Sequence, residues 1–379
     1  MERTLFEPEH ELFRESYRKF LAQHAEPNHA KWEERNIVDR SLWVEAGKQG
    51  FLGMAVPEEF GGGGVRDFRY NAIVTEETTR GGYSGIGFTL HNDVVAPYLL
   101  ELSNEEQKQR WLPGFASGEL ITAIAMTEPG TGSDLQGIKT RAVRDGDDWV
   151  LNGSKTFITN GINADLVIVV ACTDPIRGAG IQPPGRRTGH AGLRTWPQPR
   201  QDRYEGAGYR GTQLHRCPRS RRQPPRRGGD GLPLPDEEPS PGAAVDCVVA
   251  AAAMESALDM TIQYCRDRKA FGKSIGSFQN TRFVLAELAT EATAVRVLVD
   301  KFIELLNDEK LSVQEAAMAK WWTTEAQVRL IDRCLQLHGG YGYMKEYPIA
   351  KAYMDSRVQT IYGGTTEIMK EIIGRGLNL

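Results

Sequence analysis

Five short stretches hold the residue types that chemistry needs. Met126-Thr127-Glu128-Pro129-Gly130-Thr131-Gly132-Ser133-Asp134 places two glycines where the backbone can turn tightly. Successive N–H groups and the Ser133 hydroxyl can then converge on an anion such as a pyrophosphate. Phe157-Ile158-Thr159-Asn160-Gly161 sets an aromatic and a hydroxyl on one strand end beside a turn. Arg268-Lys269-Ala270-Phe271-Gly272-Lys273, with Phe278-Gln279 downstream, offers cations and an aromatic just after a helix. Gln336-Leu337-His338-Gly339-Gly340-Tyr341-Gly342 is the fourth stretch. The fifth, Ile361-Tyr362-Gly363-Gly364-Thr365-Thr366-Glu367, runs through glycines into a C-terminal helix whose N-terminus can face a phosphate. Taken singly, such stretches have plainer readings: a loop, a strand terminus, a basic surface turn.

The elements that must position them follow from length and patterning. At 379 residues the chain exceeds one ordinary core of about 100–200 residues, so two or three packed units are expected. With 40% hydrophobic and 25% charged residues it is globular, and a net charge of −4 excludes an electrostatic nucleic-acid binder as a whole. No apolar run approaches the length of a spanning helix, and the charged start Met1-Glu2-Arg3 has no leader-like apolar core. Cys172, Cys217, Cys247, Cys265 and Cys334 are scattered and read as reduced thiols of a cytoplasmic protein, with neither a disulfide framework nor a metal site.

Residues 1–118 read as a helical domain. Leu12, Phe13, Tyr17, Phe20 and Leu21 recur at helical spacing, and a second helix begins at Phe68. Gly61-Gly62-Gly63-Gly64 between them is a loop. Residues 119–247 read as a β domain, with β-branched runs at Leu120–Met126 and Leu166–Ala171 and a strand with a hairpin turn in Trp149–Lys155. Residues 248–379 are helical again. Leu285, Ala292, Val299 and Leu306 recur every seven residues, interleaved with Leu288, Val295 and Phe302, the seam of an antiparallel bundle.

Residues 176–242 break this order. They hold 13 Arg, no Lys, 11 of the chain's 19 Pro and 12 Gly, which puts them at +7 and the rest of the chain at −11 against −4 for the whole. A basic arm for nucleic acid fits the charge. A solvated loop is the blander reading, but so long a structureless stretch inside a domain counts against any assignment. Translation out of frame fits better, since a misread G+C-rich gene tends to give Arg, Pro and Gly without Lys. Shifted by one base, Arg177–Arg187 is compatible with A-G-R-G-F-S-L-L-V-V-E and Glu205–Arg216 with K-A-Q-D-T-A-E-L-S-F-T-D, both strands. Ser240–Cys247 becomes P-Q-E-R-L-S-I-A, a helix start. The out-of-frame span is therefore about 176–247.

Together and in this order, the five stretches resemble the acyl-CoA dehydrogenase family, from about Phe6 to Leu379 with 176–247 as the interruption. The resemblance implies an α+β, mostly α fold: an N-terminal helical domain, a middle β domain and a C-terminal four-helix bundle. It implies a homotetramer that binds FAD, oxidises an acyl-CoA to the trans-2-enoyl-CoA and passes electrons to an electron-transfer flavoprotein, with no nucleic-acid or membrane partner. By the same resemblance Met126 and Thr127 would meet the flavin edge, and Ser133 would sit between FAD and CoA phosphates. Phe157 and Thr159 would lie at the ring, and Thr365 and Glu367 would hold the same FAD. Arg268, Phe271, Gln279, Gln336, Gly339 and Gly340 would grip the FAD of a neighbouring subunit. Gly364 would touch substrate.

The chain departs from the family at its base. Most members carry a glutamate where this chain has Gly363, whose N–H would still bind the thioester carbonyl. Isovaleryl- and long-chain-type members place the glutamate on the first helix of the C-terminal domain, which here aligns near Gly242. The shifted frame restores a glutamate there, and the chain as it stands has none at either position. An inactive flavin-fold relic of a frameshifted gene is therefore an alternative, as is a fusion carrying a nucleic-acid-binding arm. Sequencing the gene across codons 174–248 should show a one-base shift near codon 175 and its compensation near codon 248. An unbroken frame encoding the arginines would leave only those two alternatives.

Overall fold

Helices occupy both ends of the chain and strands its middle, as the change of texture near residue 120 predicts. The structure, a computed structural model, describes residues 3–145, 148–173, 193–195, 210–214 and 241–377. Helices α1 (Pro8–Phe20), α2 (His29–Arg35), α3 (Arg40–Lys48), α4 (Phe68–Arg80), α5 (Ala96–Leu102) and α6 (Glu105–Ala116) come first. Strands β1 (Thr122–Ala125), β2 (Arg141–Asp145), β3 (Asp148–Ile158), β4 (Leu166–Val169), β5 (Leu193–Thr195) and β6 (Arg210–Leu214) follow. Then come α7 (Pro241–Asp267), the hairpin strands β7 (Lys269–Ala270) and β8 (Lys273–Ser274), α8 (Gln279–Asn307), α9 (Val313–His338), α10 (Pro348–Arg357) and α11 (Thr366–Gly376). Two units emerge: Met1–Leu21, Asp67–Ser84 and Glu238–Leu379 form one, Ala22–Arg66 and Gly85–Glu237 the second. Most of the stretch expected to be out of frame, Arg177–Arg187 included, lies outside the described residues; of Glu205–Arg216 the structure describes Arg210–Leu214, which is the strand β6.

In the first unit the heptad seam is the buried face of α8. Leu288, Val295 and Val299 are fully covered, each contributing about 1.5–3 kcal/mol relative to exposure. They meet Val248, Ala251, Met254 and Ala257 of α7 and Ala326, Leu330 and Ile331 of α9. Small side chains along α7 let it pack closely on α9. Ser312 starts α9 with a capping box, its hydroxyl accepting from the Glu315 N–H while the Glu315 carboxylate accepts from the Ser312 N–H. Helix α1 buries Tyr17 and Phe20, but Leu12, expected on the same face, is exposed. His10 and Arg14 take the buried positions beside Tyr17 instead.

In the second unit β1 and β4 pair in parallel, Thr122 opposite Leu166 through Ala125 opposite Val169. Leu166 and Ile168 pack against Trp111, Leu112 and Phe115 of α6. An antiparallel sheet runs in the order β2-β3-β6-β5. The turn expected at Asn152-Gly153 is not there: β3 continues through it, with Asn152 opposite Arg141 and Gly153 opposite Leu214. A Cβ at Gly153 would lie 2.3 Å from Thr140 Oγ1, so the glycine serves a close approach of chains.

One buried carboxylate ties the first unit together. Glu76 of α4 is fully buried and accepts from Arg3 at 2.6 Å, Arg14 at 2.9 Å and Arg296 at 2.7 Å. Burial pushes its pKa up, but the hydrogen bond from Arg3 and the charges of Arg296, Arg3 and Arg14 outweigh this and bring it down to about 2, from an ordinary 4.5. Because the folded pKa is depressed, this stabilisation is present above pH 4.5 and is lost as the pH falls toward 2. Glu76→Gln should cost about 3–5 kcal/mol at pH 7, since it removes the one buried carboxylate that Arg3, Arg14 and Arg296 share and leaves each with only its other acidic partners, Asp300, Glu77 and Glu255. Urea midpoints of the parent and variant should converge as the pH is lowered through this window. Parallel pH profiles would show that Glu76 is not the titrating group.

Candidate functional site

The motif from Met126 to Asp134 folds as a closed turn followed by an exposed segment. Glu128 and Thr131 exchange backbone hydrogen bonds at 2.8 and 3.1 Å. The Thr131 hydroxyl donates to the Gly137 carbonyl at 3.1 Å, and Ser133 is exposed. Gly130 and Gly132 have no positive φ, and a Cβ on either would meet nothing within 4 Å. Closing the turn therefore does not require them, contrary to the expectation from sequence, and their open side leaves room for a ligand to approach the backbone.

Strand β3 brings Phe157 and Thr159 to the same unit. The register between β3 and β6 shifts between Lys155 and Ile158, and Phe157 takes a φ of +57° within that irregularity. A left-handed backbone costs a non-glycine residue about 1–2 kcal/mol. The strained ring is also 56% exposed, so its own unit gains little from it. Asn160, at φ +63°, is locked in place by donating to the carbonyls of Gly87 and Thr122.

The third and fourth motifs meet at one end of the first unit. Phe271 and Gly272 form the two-residue turn between β7 and β8, with φ of +52° and +79°. That turn geometry requires left-handed residues at both positions, and Phe271 projects from it 94% exposed. The Arg268 guanidinium lies 5.5 Å from the Tyr341 ring centroid. Tyr264 stacks on His338 at 4.2 Å and donates to its carbonyl. Arg268, Gln279, Gln336, Gly339 and Gly340 are all exposed.

The fifth motif is organised from beneath by Lys320. This α9 side chain is fully buried, and its Nζ donates to the carbonyls of Gln359 at 2.8 Å, Tyr362 at 2.8 Å and Gly364 at 2.5 Å. The loop so held carries Gly363 and Gly364 at φ of +62° and +97°. Thr365 then caps α11 by accepting from the Ile368 N–H, and Glu367 sits exposed in the first turn. Gly242 lies in the first turn of α7. One helical turn on, on the same face, stands Asp246, which sequence reasoning missed. Its Oδ2 is buried without a hydrogen-bond partner, and a Cβ built on Gly363 would approach it to 2.5 Å. Burial raises the Asp246 carboxyl to about 7, opposed by the charge of Lys320. The missed signal was the lone charge in the run Ala243–Met254.

Comparison with known proteins agrees across the chain. The N-terminal, middle and C-terminal domain profiles of acyl-CoA dehydrogenase match residues 7–119, 123–212 and 229–378. The chain is 43% identical over 387 residues to the long-chain specific acyl-CoA dehydrogenase, mitochondrial, of Sus scrofa, covering 98% of this chain and 87% of that one. The chain belongs to the acyl-CoA dehydrogenase family. An acyl-CoA dehydrogenase from Geobacillus kaustophilus matches this fold with a TM-score of 0.91 at 41% identity, over 99% of both chains. A glutaryl-CoA dehydrogenase from Mycobacterium smegmatis, in complex with FADH2, matches with 0.87 at 27% identity over 98% of this chain and 95% of that one.

The acyl-CoA dehydrogenase fold and the FAD cofactor are thus as the resemblance implies, and the protein is an oxidoreductase. No described helix is long and apolar enough to cross a membrane. In this dehydrogenase Lys320 should set the shape of the Gly363 loop. Lys320→Met removes three donors at once, and charge-assisted bonds are worth about 1.5–3 kcal/mol each. A loss of about 3 kcal/mol in urea unfolding is expected, with faster amide exchange across 359–364. An unchanged midpoint and unchanged exchange would mean that the loop holds its own shape.

Proposed function

We propose that the chain oxidises an acyl-CoA thioester to the trans-2-enoyl-CoA and passes the electrons to an electron-transfer flavoprotein. A carboxylate removes the α-proton, and the thioester carbonyl is polarised by the Gly363 N–H. When bound, FAD supplies the acceptor for the hydride that leaves Cβ. Met126, Thr127, Phe157, Thr159, Thr365 and Glu367 would hold it, with Ser133 between its phosphates and those of CoA and Gly364 against the substrate. Arg268, Phe271, Gln279, Gln336, Gly339 and Gly340 would reach the FAD of a second subunit. An exposed Phe271 on a strained turn suits a surface that another copy covers, as in a homotetramer. The 43% identity to a relative named for long chains makes a long-chain acyl-CoA the first substrate to try.

The observation that carries the reading is the meeting of α7 with the Gly363 loop. Asp246, on the face of α7 that Gly242 begins, abuts Gly363. The two places where the family keeps its base therefore share one neighbourhood. A glutamate at 242 is what the shifted frame restores, together with isoleucine at 246. An apolar side chain suits that core position, where the chain as it stands buries a carboxyl without a hydrogen-bond partner. This mismatch supports the reading that about 176–247 is out of frame.

Adding long-chain acyl-CoA anaerobically to the flavin-loaded protein tests both parts. The frame-restored enzyme should bleach its flavin, and replacing its restored glutamate by glutamine should slow this by about 10²–10⁴ while leaving FAD and acyl-CoA binding almost intact. The chain as it stands should bleach at least that slowly. If it keeps pace with the restored enzyme, Asp246 is the carboxylate at hand and the assigned base is wrong.

A further inference from the structure

Lys155 of β3 is 1% exposed, and the mechanism above gives it no role. Its Nζ donates to the Met126 carbonyl at 2.7 Å and stands 3.0 Å from Glu128 Oε1. Glu128 is itself pinned, its carboxylate accepting from the N–H groups of Lys139 and Thr140 at 2.8 Å each. The next residue of β3, Thr156, donates its N–H to the Thr127 carbonyl at 3.0 Å. Two consecutive strand residues therefore grip two consecutive residues of the motif, one through a side chain and one through the backbone. Immediately beyond this grip comes the left-handed Phe157. Strained backbone persists only where its surroundings over-determine it, and Lys155 is the nearest buried side chain that precedes it on the strand.

We propose that Lys155 is a positioning residue of the flavin site, its buried ammonium locking Met126–Thr127 to the strand that presents Phe157 and Thr159. The inference rests on the placement of FAD against those four residues given above. A cation is needed, because a neutral donor would satisfy the Met126 carbonyl but leave the Glu128 carboxylate buried without a counter-charge. The motif's own Glu-Pro-Gly-Thr turn then acts as a rigid unit. Its carboxylate braces 139–140, and its preceding carbonyl is tied to β3. Separate sequence motifs thereby acquire one fixed spacing.

The test compares Lys155→Met and Lys155→Arg in the full chain, with FAD as the probe. FAD affinity, the visible flavin spectrum and amide exchange of the apoprotein at 126–134 are measured together. Lys155→Met should weaken FAD binding by about tenfold or more, since misplacing a positioning group can cost about 10²-fold. It should also speed exchange at 126–134 while β1 and β4 stay protected. Lys155→Arg, which keeps a charged donor, should recover most of the affinity and the spectrum. A Met variant with parental affinity, spectrum and loop protection overturns the proposal. So does one whose β1 and β4 amides lose protection equally, which would make Lys155 a general prop of the fold. A parent chain that binds no FAD overturns the flavin placement instead, and the apoprotein exchange then still decides whether Lys155 fixes the loop.

Discussion

The loop at Gly363 has its shape because a buried ammonium demands acceptors. Lys320 has left water entirely, and it is tolerable there only because three carbonyls converge on it. Those carbonyls belong to residues 359, 362 and 364, so the loop must curl around Nζ before α11 can begin. The curl forces positive φ at two successive positions, and glycine fills both. The cap at Thr365, the placement of Glu367 and the side of the loop that faces α7 all follow from that one desolvated charge.

The same device recurs in the second unit with a different partner. Lys155 gives one carbonyl and one carboxylate to its ammonium where Lys320 has three carbonyls. Glu76 inverts it, with a buried carboxylate collecting guanidiniums from the N-terminus, α1 and α8. Greasy packing alone specifies these places poorly, because apolar contacts have no preferred direction. A buried charge has few satisfactory arrangements, and it fixes the backbone segments that it touches.

What the sequence disclosed depended on the range of the interaction. The seam of α8 is periodic within one helix, so Leu288, Val295 and Val299 could be read directly. The five motifs were visible because their glycines, aromatics and hydroxyls are local. Leu12 misled because a helical period does not say which stripe faces inward when His10 and Arg14 find buried partners. Gly153 misled because a turn and a close strand crossing ask for the same residue. Lys155 and Lys320 were silent for a third reason. Lys155 lies 29 residues from Met126, and Lys320 lies 39–44 from its acceptors. Nothing local distinguishes either lysine from one on the surface.

The proposed placement of the base agrees with the same loop. A glutamate at Gly363 would have to adopt a φ of +62°, which L side chains rarely do, and its Cβ would fall 2.5 Å from Asp246 Oδ2. Both objections disappear when the carboxylate comes from α7. The loop then keeps the glycine that Lys320's geometry favours, and its backbone N–H remains available to polarise a carbonyl. The helix contributes a side chain from regular backbone without the left-handed strain that position 363 would impose. A carboxylate delivered from position 242 and an apolar residue at 246 satisfy the loop, the helix and the core together. Gly242 with Asp246 satisfies only the helix, since it puts no carboxylate at the proposed base position and leaves the core with an unpaired oxygen. Both positions fall within the span read as out of frame, about 176–247, and the neighbouring turns of α7 from Val248 onward pack in the apolar core.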